Sequence, residues 1–468
     1  QTSSRDDPDP SRILLAHRAD ASMQPASTIK LLTSAVALDR LGPEHRGFTE
    51  LRSWASLEDG RLKGDLWLIA GADPEFGLMV LWEMLVKLRA HSIRVIEGDL
   101  LVDRNRFNPS RSDQGMAPFD EAPEFPYNLI PDALSAHAGL QDVAFRADRD
   151  RVQVQLIPEL PGIVIDNQLG LVDAPCGRWS SSGWQTPQQR LESDGKLAIV
   201  FSGSFPRQCT QNVKLQLVER NHLLEAQFRW LWLQLGGVWQ GRLREVTQQE
   251  ALNQRSVVKT ASTVVLRHEA RPWGEWLRPL NKRSDNALTR MLFLEIGANA
   301  GSADRPNLPA IPDGVNEISK PAANEHLSSF ELADREIRAW LKHRGISTEG
   351  LVLENGSGLS RKERITARQM VSLLRSASRE HRYHDLMMSL PLVGEDNTLK
   401  RRYTGTVANG SARLKTGSLW NVSAIAGVVY DRQQRPWMLS IMINHPKASS
   451  ASALITGIVD TIANHESQ

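Results

Sequence analysis

The segment from Ala26 to Leu41 carries apolar side chains on almost every face of a helix: Ile29, Leu31, Leu32, Ala35, Val36, Ala37, Leu38 and Leu41. A helix without a polar face has no side to turn to water, so it must be buried, and the fold has to be built around it. Gly42 and Pro43 end it, since glycine accepts the left-handed conformation beyond a helix terminus and proline cannot extend the ladder. The 468 residues can surround such a helix and correspond to about two to four domains at roughly 150 residues each. Apolar residues make up 41% and charged residues 24%, a balance that excludes disordered, collagen-like and disulfide-scaffold classes.

Lys and Arg number 56 against 54 Asp and Glu, so a net charge near +2 gives no support to nucleic acid or an anionic membrane as partner. The longest apolar run, Phe76 to Leu88, is interrupted by Glu83 and Lys87, and no transmembrane segment is expected. The polar start, Gln1 to Asp7, does not open a signal peptide; if the protein is exported, its leader has already been removed. Two cysteines, Cys176 and Cys209, are too few for a four-ligand zinc site. They are either unrelated buried thiols or a disulfide adding ~3 to 4 kcal/mol in the chain-entropy model, and composition leaves both open.

After the buried helix the pattern alternates. Leu62 to Ile69 reads as a strand, Leu78 to Leu88 as a helix and Ile96 to Val102 as another strand. The same helix, glycine, strand order recurs at His222 to Arg244 and at Phe330 to Leu353, without a fixed repeat period. Asn105 to Gly183 is rich in Pro, Asp and Gly, with short alternating runs such as Val152 to Ile157, and reads as a small β-rich insertion. Gly301 to Ala323 reads as a surface excursion. Ala412 to Leu419, Ser423 to Tyr430 and Trp437 to Ile443 follow as strands, and Ser450 to Asn464 as a closing helix.

G-x-S-x-G, H-E-x-x-H and G-x-x-x-x-G-K-[ST] are all absent, and Gly356, Ser357, Gly358 lacks the third glycine of a dinucleotide loop. A serine with a lysine three residues on can pair a nucleophile with a base, because those positions share a helix face. Of three such pairs, Ser193 with Lys196 reads as a turn and Ser256 with Lys259 as a strand, which leaves Ser27 with Lys30. Ser27 lies in the first turn of the buried helix, where free N–H groups favour an oxyanion. Burial would push the Lys30 amine toward its neutral, basic form. Taken alone, an N-cap serine beside a solvated lysine is the commoner reading. Two further elements change that. Ser284, Asp285, Asn286 is the one S-x-N of the chain, and Lys415, Thr416, Gly417, followed by Ser418, the one K-T-G. Each is weak by itself; together, in this order, they form the three-part signature of active-site serine penicillin-recognising enzymes.

On these motifs the chain resembles the class C low-molecular-mass penicillin-binding proteins, the D-alanyl-D-alanine carboxypeptidase and endopeptidase family of bacterial cell-wall enzymes. The resemblance runs through Pro25 to Pro43, Leu62 to Pro74, Arg283 to Leu292, Glu354 to Arg361, Ser389 to Arg402 and Leu414 to Leu419. The long gap between Lys30 and Ser284 separates the chain from class A β-lactamases. The resemblance implies an α+β fold: a penicillin-recognising, serine transpeptidase/β-lactamase-like catalytic domain from residues 1–45 and 262–468. An inserted α/β domain (46–100 and 186–261) and a nested β-rich domain (101–185) would complete it.

By the same resemblance, Ser27 is the acylated nucleophile and Lys30 its general base. Ser284 relays a proton to the leaving D-alanine, and Asn286 orients Lys30 and the substrate amide. Lys415 and Thr416 hold the terminal carboxylate, with Lys415 adding a positive charge that helps keep Lys30 neutral. Gly417, Ser418 and Arg361 complete the substrate contacts, and the N–H groups of Ser27 and Ser418 form the oxyanion hole. No metal or other cofactor is implied, and Cys176 and Cys209 are now expected to be bonded. Trp420 either narrows the pocket or packs on the surface, and a strand usual ahead of Leu14 has only about a dozen polar residues to supply it. The implied activity is a periplasmic or otherwise extracytoplasmic serine DD-peptidase acting on peptidoglycan stem peptides and acylated by β-lactams. A β-lactamase would need a deacylating glutamate that nothing here supplies, and a catalytically silent peptidoglycan-binding scaffold is at odds with three intact motifs.

Overall fold

The computed structural model describes residues 13–115, 119–137, 139–257, 262–300, 327–396 and 399–466. Two compact units result, one of residues 1–32 with 337–468, the other of residues 33–336. The expected surface excursion at Gly301 to Ala323, the polar start as far as residue 12, and Lys259 lie outside the described residues.

The first unit is built on an antiparallel sheet of strands Ala412–Leu419, Val422–Tyr430 and Pro436–Asn444, in that order. The sequence pattern gives all three to within a residue. The central strand is apolar along most of its length because the helices Ala367–Ala377 and Ser452–Ala463 both pack on it. Leu414, Ile425, Val429, Ile455 and Val459 form the core between sheet and closing helix. Thr366 and Gln369 start the Ala367–Ala377 helix with a reciprocal capping box. The buried amino-terminal helix opens as a 3₁₀ turn, Ala26–Ile29, and continues as an α-helix, Lys30–Arg40. It ends before Gly42, whose φ of 88° is the expected left-handed stop.

In the second unit the two strands expected at Leu62 to Ile69 and Ile96 to Val102 are each broken. Three short strands, Arg61–Leu62, Val95–Ile96 and Val238–Trp239, pair in one sheet, and their continuations Leu66–Gly71, Leu100–Asp103 and Leu243–Glu245 pair in another. The breaks align because glycines stack across them: a Cβ on Gly98 would stand 2.3 Å from the Gly64 carbonyl carbon, and one on Gly241 2.0 Å from the Gly98 oxygen. At the bend, side chains take over the ladder, Asp65 accepting from the Asp99 N–H at 2.7 Å and Asp99 from the Arg242 N–H at 2.9 Å. Phe48–Ser53 and Val264–Glu269 close the larger sheet antiparallel.

The β-rich module has its own core of Phe145, Trp179, Phe201 and Phe205, and its strands run from Leu140 to Gln216. Parallel pairing of Ile163–Asn167 with Leu197–Phe201 joins sequence on either side of position 185 within this core. Cys176 and Cys209 are disulfide-bonded. Ser256, expected in a strand, lies in the helix Gln248–Val257. The reciprocal bonds of Thr247 and Glu250 start that helix and override the β-branched Val257.

Buried ion pairs hold described residues that follow the strand Leu100–Asp103. Asp132 lies 2.8 Å from Arg104 and 2.7 Å from Arg220, and Arg111 reaches Glu245 at 2.6 Å. Burial would raise the Asp132 carboxyl, but the two guanidinium groups outweigh it and hold the pKa at about 2. Asp132→Asn is expected to destabilise the fold by about 3 to 5 kcal/mol, because two buried cations lose their shared anion. Denaturant titration checks this. The contribution is complete above the ordinary carboxyl pKa and is lost as pH falls through about 2.

Candidate active site

Ser27 sits half-buried in the 3₁₀ turn, with Lys30 fully buried behind it and Lys30 Nζ 3.0 Å from Ser27 Oγ. Positions three apart in this turn face the same way, so the motif spacing sets the pair directly. Lys30 Nζ also donates to the backbone carbonyl of Ser357. One amine thus has an acceptor that orients it and a hydroxyl within proton-transfer distance.

The turn is clamped by elements distant in sequence. Asn444, at the end of the third strand, accepts from the Gln24 N–H at 2.8 Å and donates to the Gln24 carbonyl at 3.1 Å. Met23 forms a β-bridge with Ile365. Two glycines press on the peptide of Ser27. A Cβ on Gly358 would stand 2.0 Å from the Ala26 oxygen, and one on Gly417 2.8 Å from both the Pro25 oxygen and the Ser27 nitrogen. The glycine of K-T-G is therefore needed for close approach. Ala26 itself has φ 46°, a left-handed value unfavourable for a residue with a Cβ, and the clamp holds it there.

The strand Ala412–Leu419 thus lies against the turn that carries Ser27. Its Lys415 is buried and donates from Nζ to the Thr416 carbonyl at 2.7 Å; Thr416 is partly exposed and Ser418 exposed. Burial pushes the Lys415 amine down to about 7. Desolvation therefore favours the neutral form of the Lys415 amine and works against the positive charge expected beside Lys30. Trp420, 78% exposed in the hairpin after this strand, is not packed. The Arg361 side chain is exposed as well.

Ser284 and Asn286 belong to the second unit. Ser284 has φ 57°, and Asp285 caps the helix Asn286–Ala298 by accepting from the Leu288 N–H at 2.9 Å while meeting His137 Nε2 at 3.0 Å. The Asn286 amide donates to the Tyr127 carbonyl at 3.0 Å. Ser27, Lys30, Lys415, Thr416, Gly417 and Ser418 are therefore brought together within one unit, and Ser284 with Asn286 are fixed at a strained helix start in the other.

Motif reading missed two groups. The Ser357 carbonyl, which orients Lys30, lies in the Glu354 to Arg361 block of the resemblance, where only Arg361 was given a role, and Glu363, beneath that segment, carried no signal. A backbone oxygen leaves no mark in residue identity.

The sequence profile of the D-Ala-D-Ala carboxypeptidase 3 (S13) family matches residues 6–307 and 315–465. A D-alanyl-D-alanine carboxypeptidase of Actinomadura sp. (strain R39) is 28% identical over 417 residues, covering 86% of this chain and 70% of the relative. Penicillin binding protein 4 (dacB) from Haemophilus influenzae has a similar fold, with a TM-score of 0.72, 20% identity, and coverage of 96% of this chain and 93% of that one. The same Haemophilus influenzae protein complexed with a β-lactam gives 0.70, at 19% identity and 97% and 93% coverage. With the family profile spanning nearly its whole length, the chain belongs to the D-Ala-D-Ala carboxypeptidase 3 (S13) family.

Proposed function

We propose that this serine DD-peptidase hydrolyses D-Ala-D-Ala termini of peptidoglycan stem peptides, or D-Ala to diaminopimelate cross-links, through an acyl-enzyme on Ser27. One observation carries the assignment: a hydroxyl 3.0 Å from a fully buried amine, with the K-T-G strand against the nucleophile's own amide. Neutral Lys30 accepts the Ser27 proton while one of its N–H bonds stays on the Ser357 carbonyl, and Oγ attacks the D-alanyl carbonyl. The tetrahedral oxyanion accepts from the N–H groups of Ser27 and Ser418. The C–N bond then breaks, and the departing amine takes a proton relayed by Ser284, with Asn286 orienting the amide. Water releases the acyl group. A β-lactam offers the same amide to the same Oγ, but its leaving group stays tethered.

Lys415, Thr416, Gly417, Ser418 and Arg361 are assigned to the substrate carboxylate and peptide. The allocation of residues 1–45 and 262–468 to catalysis, with the intervening sequence as inserted domains, is part of the same proposal. The Cys176–Cys209 bond fits an oxidising, extracytoplasmic setting. Among the described residues, no helix is long and apolar enough to cross a membrane. The test is release of D-alanine from a pentapeptide together with one-to-one labelling by a fluorescent penicillin, mapped to Ser27 by mass spectrometry. A wild-type protein that neither labels nor releases D-alanine ends the proposal.

Lys415 supplies a pH dependence. As pH rises through about 7 the buried amine loses its proton and can no longer pair with the substrate carboxylate. The kcat/KM for a D-Ala-D-Ala peptide should therefore fall, by about tenfold per pH unit above the midpoint. In Lys415→Arg, whose guanidinium stays charged, this limb should vanish. Steady-state rates between pH 5 and 9 check the shape.

A further inference from the structure

Glu363 is fully buried, and four backbone N–H groups converge on its carboxylate. Oε1 accepts from Glu354 at 3.3 Å, Asn355 at 3.0 Å and Gly356 at 2.7 Å, and Oε2 accepts from Gly358 at 2.8 Å. Among the described residues no cation pairs with it. The neighbouring charges are engaged elsewhere: Lys362 meets Glu354 at 3.3 Å, and Arg364 donates to the carbonyls of Arg361 and Glu363. Burial raises the Glu363 carboxyl above its ordinary range, while the four N–H groups act in the opposite direction.

The segment wrapped around this carboxylate is the one that contacts the reacting pair. Ser357, between the two sets of donors, presents its carbonyl to Lys30 Nζ, and its own hydroxyl is tied to Asn355 Oδ1 at 2.6 Å. Gly358, held by Oε2, is the residue whose missing Cβ lets the chain lie on the Ala26–Ser27 peptide. All four groups bonded to the carboxylate are donors, so only an acceptor with two oxygens satisfies them.

We infer that Glu363 is a positioning residue for the acylation step, its carboxylate fixing the Ser357 carbonyl that orients the Lys30 amine and the Gly358 backbone that backs the nucleophile. This rests on the assignment of Ser27 and Lys30 above. Glu363→Gln keeps the shape but turns an amide N–H₂ toward an N–H group in either flip, so the segment must shift. A displacement of about 1 Å at a reacting pair lowers rates by up to roughly a hundredfold.

The test is rapid-mixing acylation by a fluorescent penicillin at several concentrations, which separates the acylation rate constant from the binding constant of the preceding complex. Glu363→Gln should lower the rate constant roughly ten- to hundredfold and leave the binding constant within about threefold of wild type. Partial unfolding would reduce the amount labelled without changing the rate constant of the labelled fraction, so a folding role reads differently. Should Glu363→Gln fail to fold, Glu363→Asp carries the test: its reach is one methylene short, and its folded fraction should also acylate more slowly. An unchanged rate constant in the folded variant overturns the inference and leaves the Ser27 assignment standing. A wild type that does not label removes both.

Discussion

Ser27→Ala is expected to abolish covalent labelling by penicillin and to lower D-alanine release by roughly a million-fold, with the fold retained. The turn around Ser27 is held through backbone contacts to Gly358 and Gly417 and by Asn444 on Gln24, none of which uses the serine oxygen. Neighbouring hydroxyls cannot take its place. Thr28 Oγ1 donates to the Pro25 carbonyl at 2.7 Å and Ser357 Oγ to Asn355 at 2.6 Å. Only the nucleophile should be lost, and thermal unfolding should move by little. A variant that labels at wild-type stoichiometry would place the nucleophile elsewhere.

Lys30→Ala should slow acylation by roughly 100- to 10,000-fold, the usual contribution of a positioned base. Because Lys30 is fully buried and donates to Ser357, its removal also leaves a carbonyl without its donor. A stability loss of about 1 to 3 kcal/mol is expected alongside. Lys30→Arg distinguishes the two effects. An arginine can still donate to the Ser357 carbonyl, yet it stays protonated and cannot accept the Ser27 proton. It should acylate as slowly as the alanine variant where it folds. A near-normal rate in Lys30→Arg would mean that the position supplies charge and not a base.

The order of the two effects matters for reading them. Loss of Ser27 removes the covalent bond itself, so no label should accumulate at any time. Loss of Lys30 leaves the hydroxyl and the strand Ala412–Leu419 in place, and label should still reach one per chain slowly. A time course therefore separates nucleophile from base without reference to rates in other proteins.

Some of this site was legible because its signals are local. Ser27 and Lys30 share a face through their spacing alone, and the three carboxyl-terminal strands are read from the sequence to within a residue. Other elements were misread because the contacts that decide them are not local. The continuous strands expected at Leu62 to Ile69 and Ile96 to Val102 break because Gly64, Gly98 and Gly241 meet across the sheet, and no window of sequence shows that three glycines will be neighbours. The pairing of Ile163–Asn167 with Leu197–Phe201, on either side of position 185, is likewise a contact that no local window shows.

The sequence by itself determined which chemical groups are available and which of them travel together on a turn: a serine and lysine one turn apart, an S-x-N and a K-T-G. Only the tertiary structure decided how the amine is held. The Ser357 carbonyl is 327 residues from Lys30, and the Glu363 carboxylate that gathers its loop acts through backbone N–H groups that every residue but proline possesses. Likewise, that Lys415 is charged or neutral at pH 7 depends on its burial and not on its identity, because desolvation sets the balance only once the strand is folded into its unit.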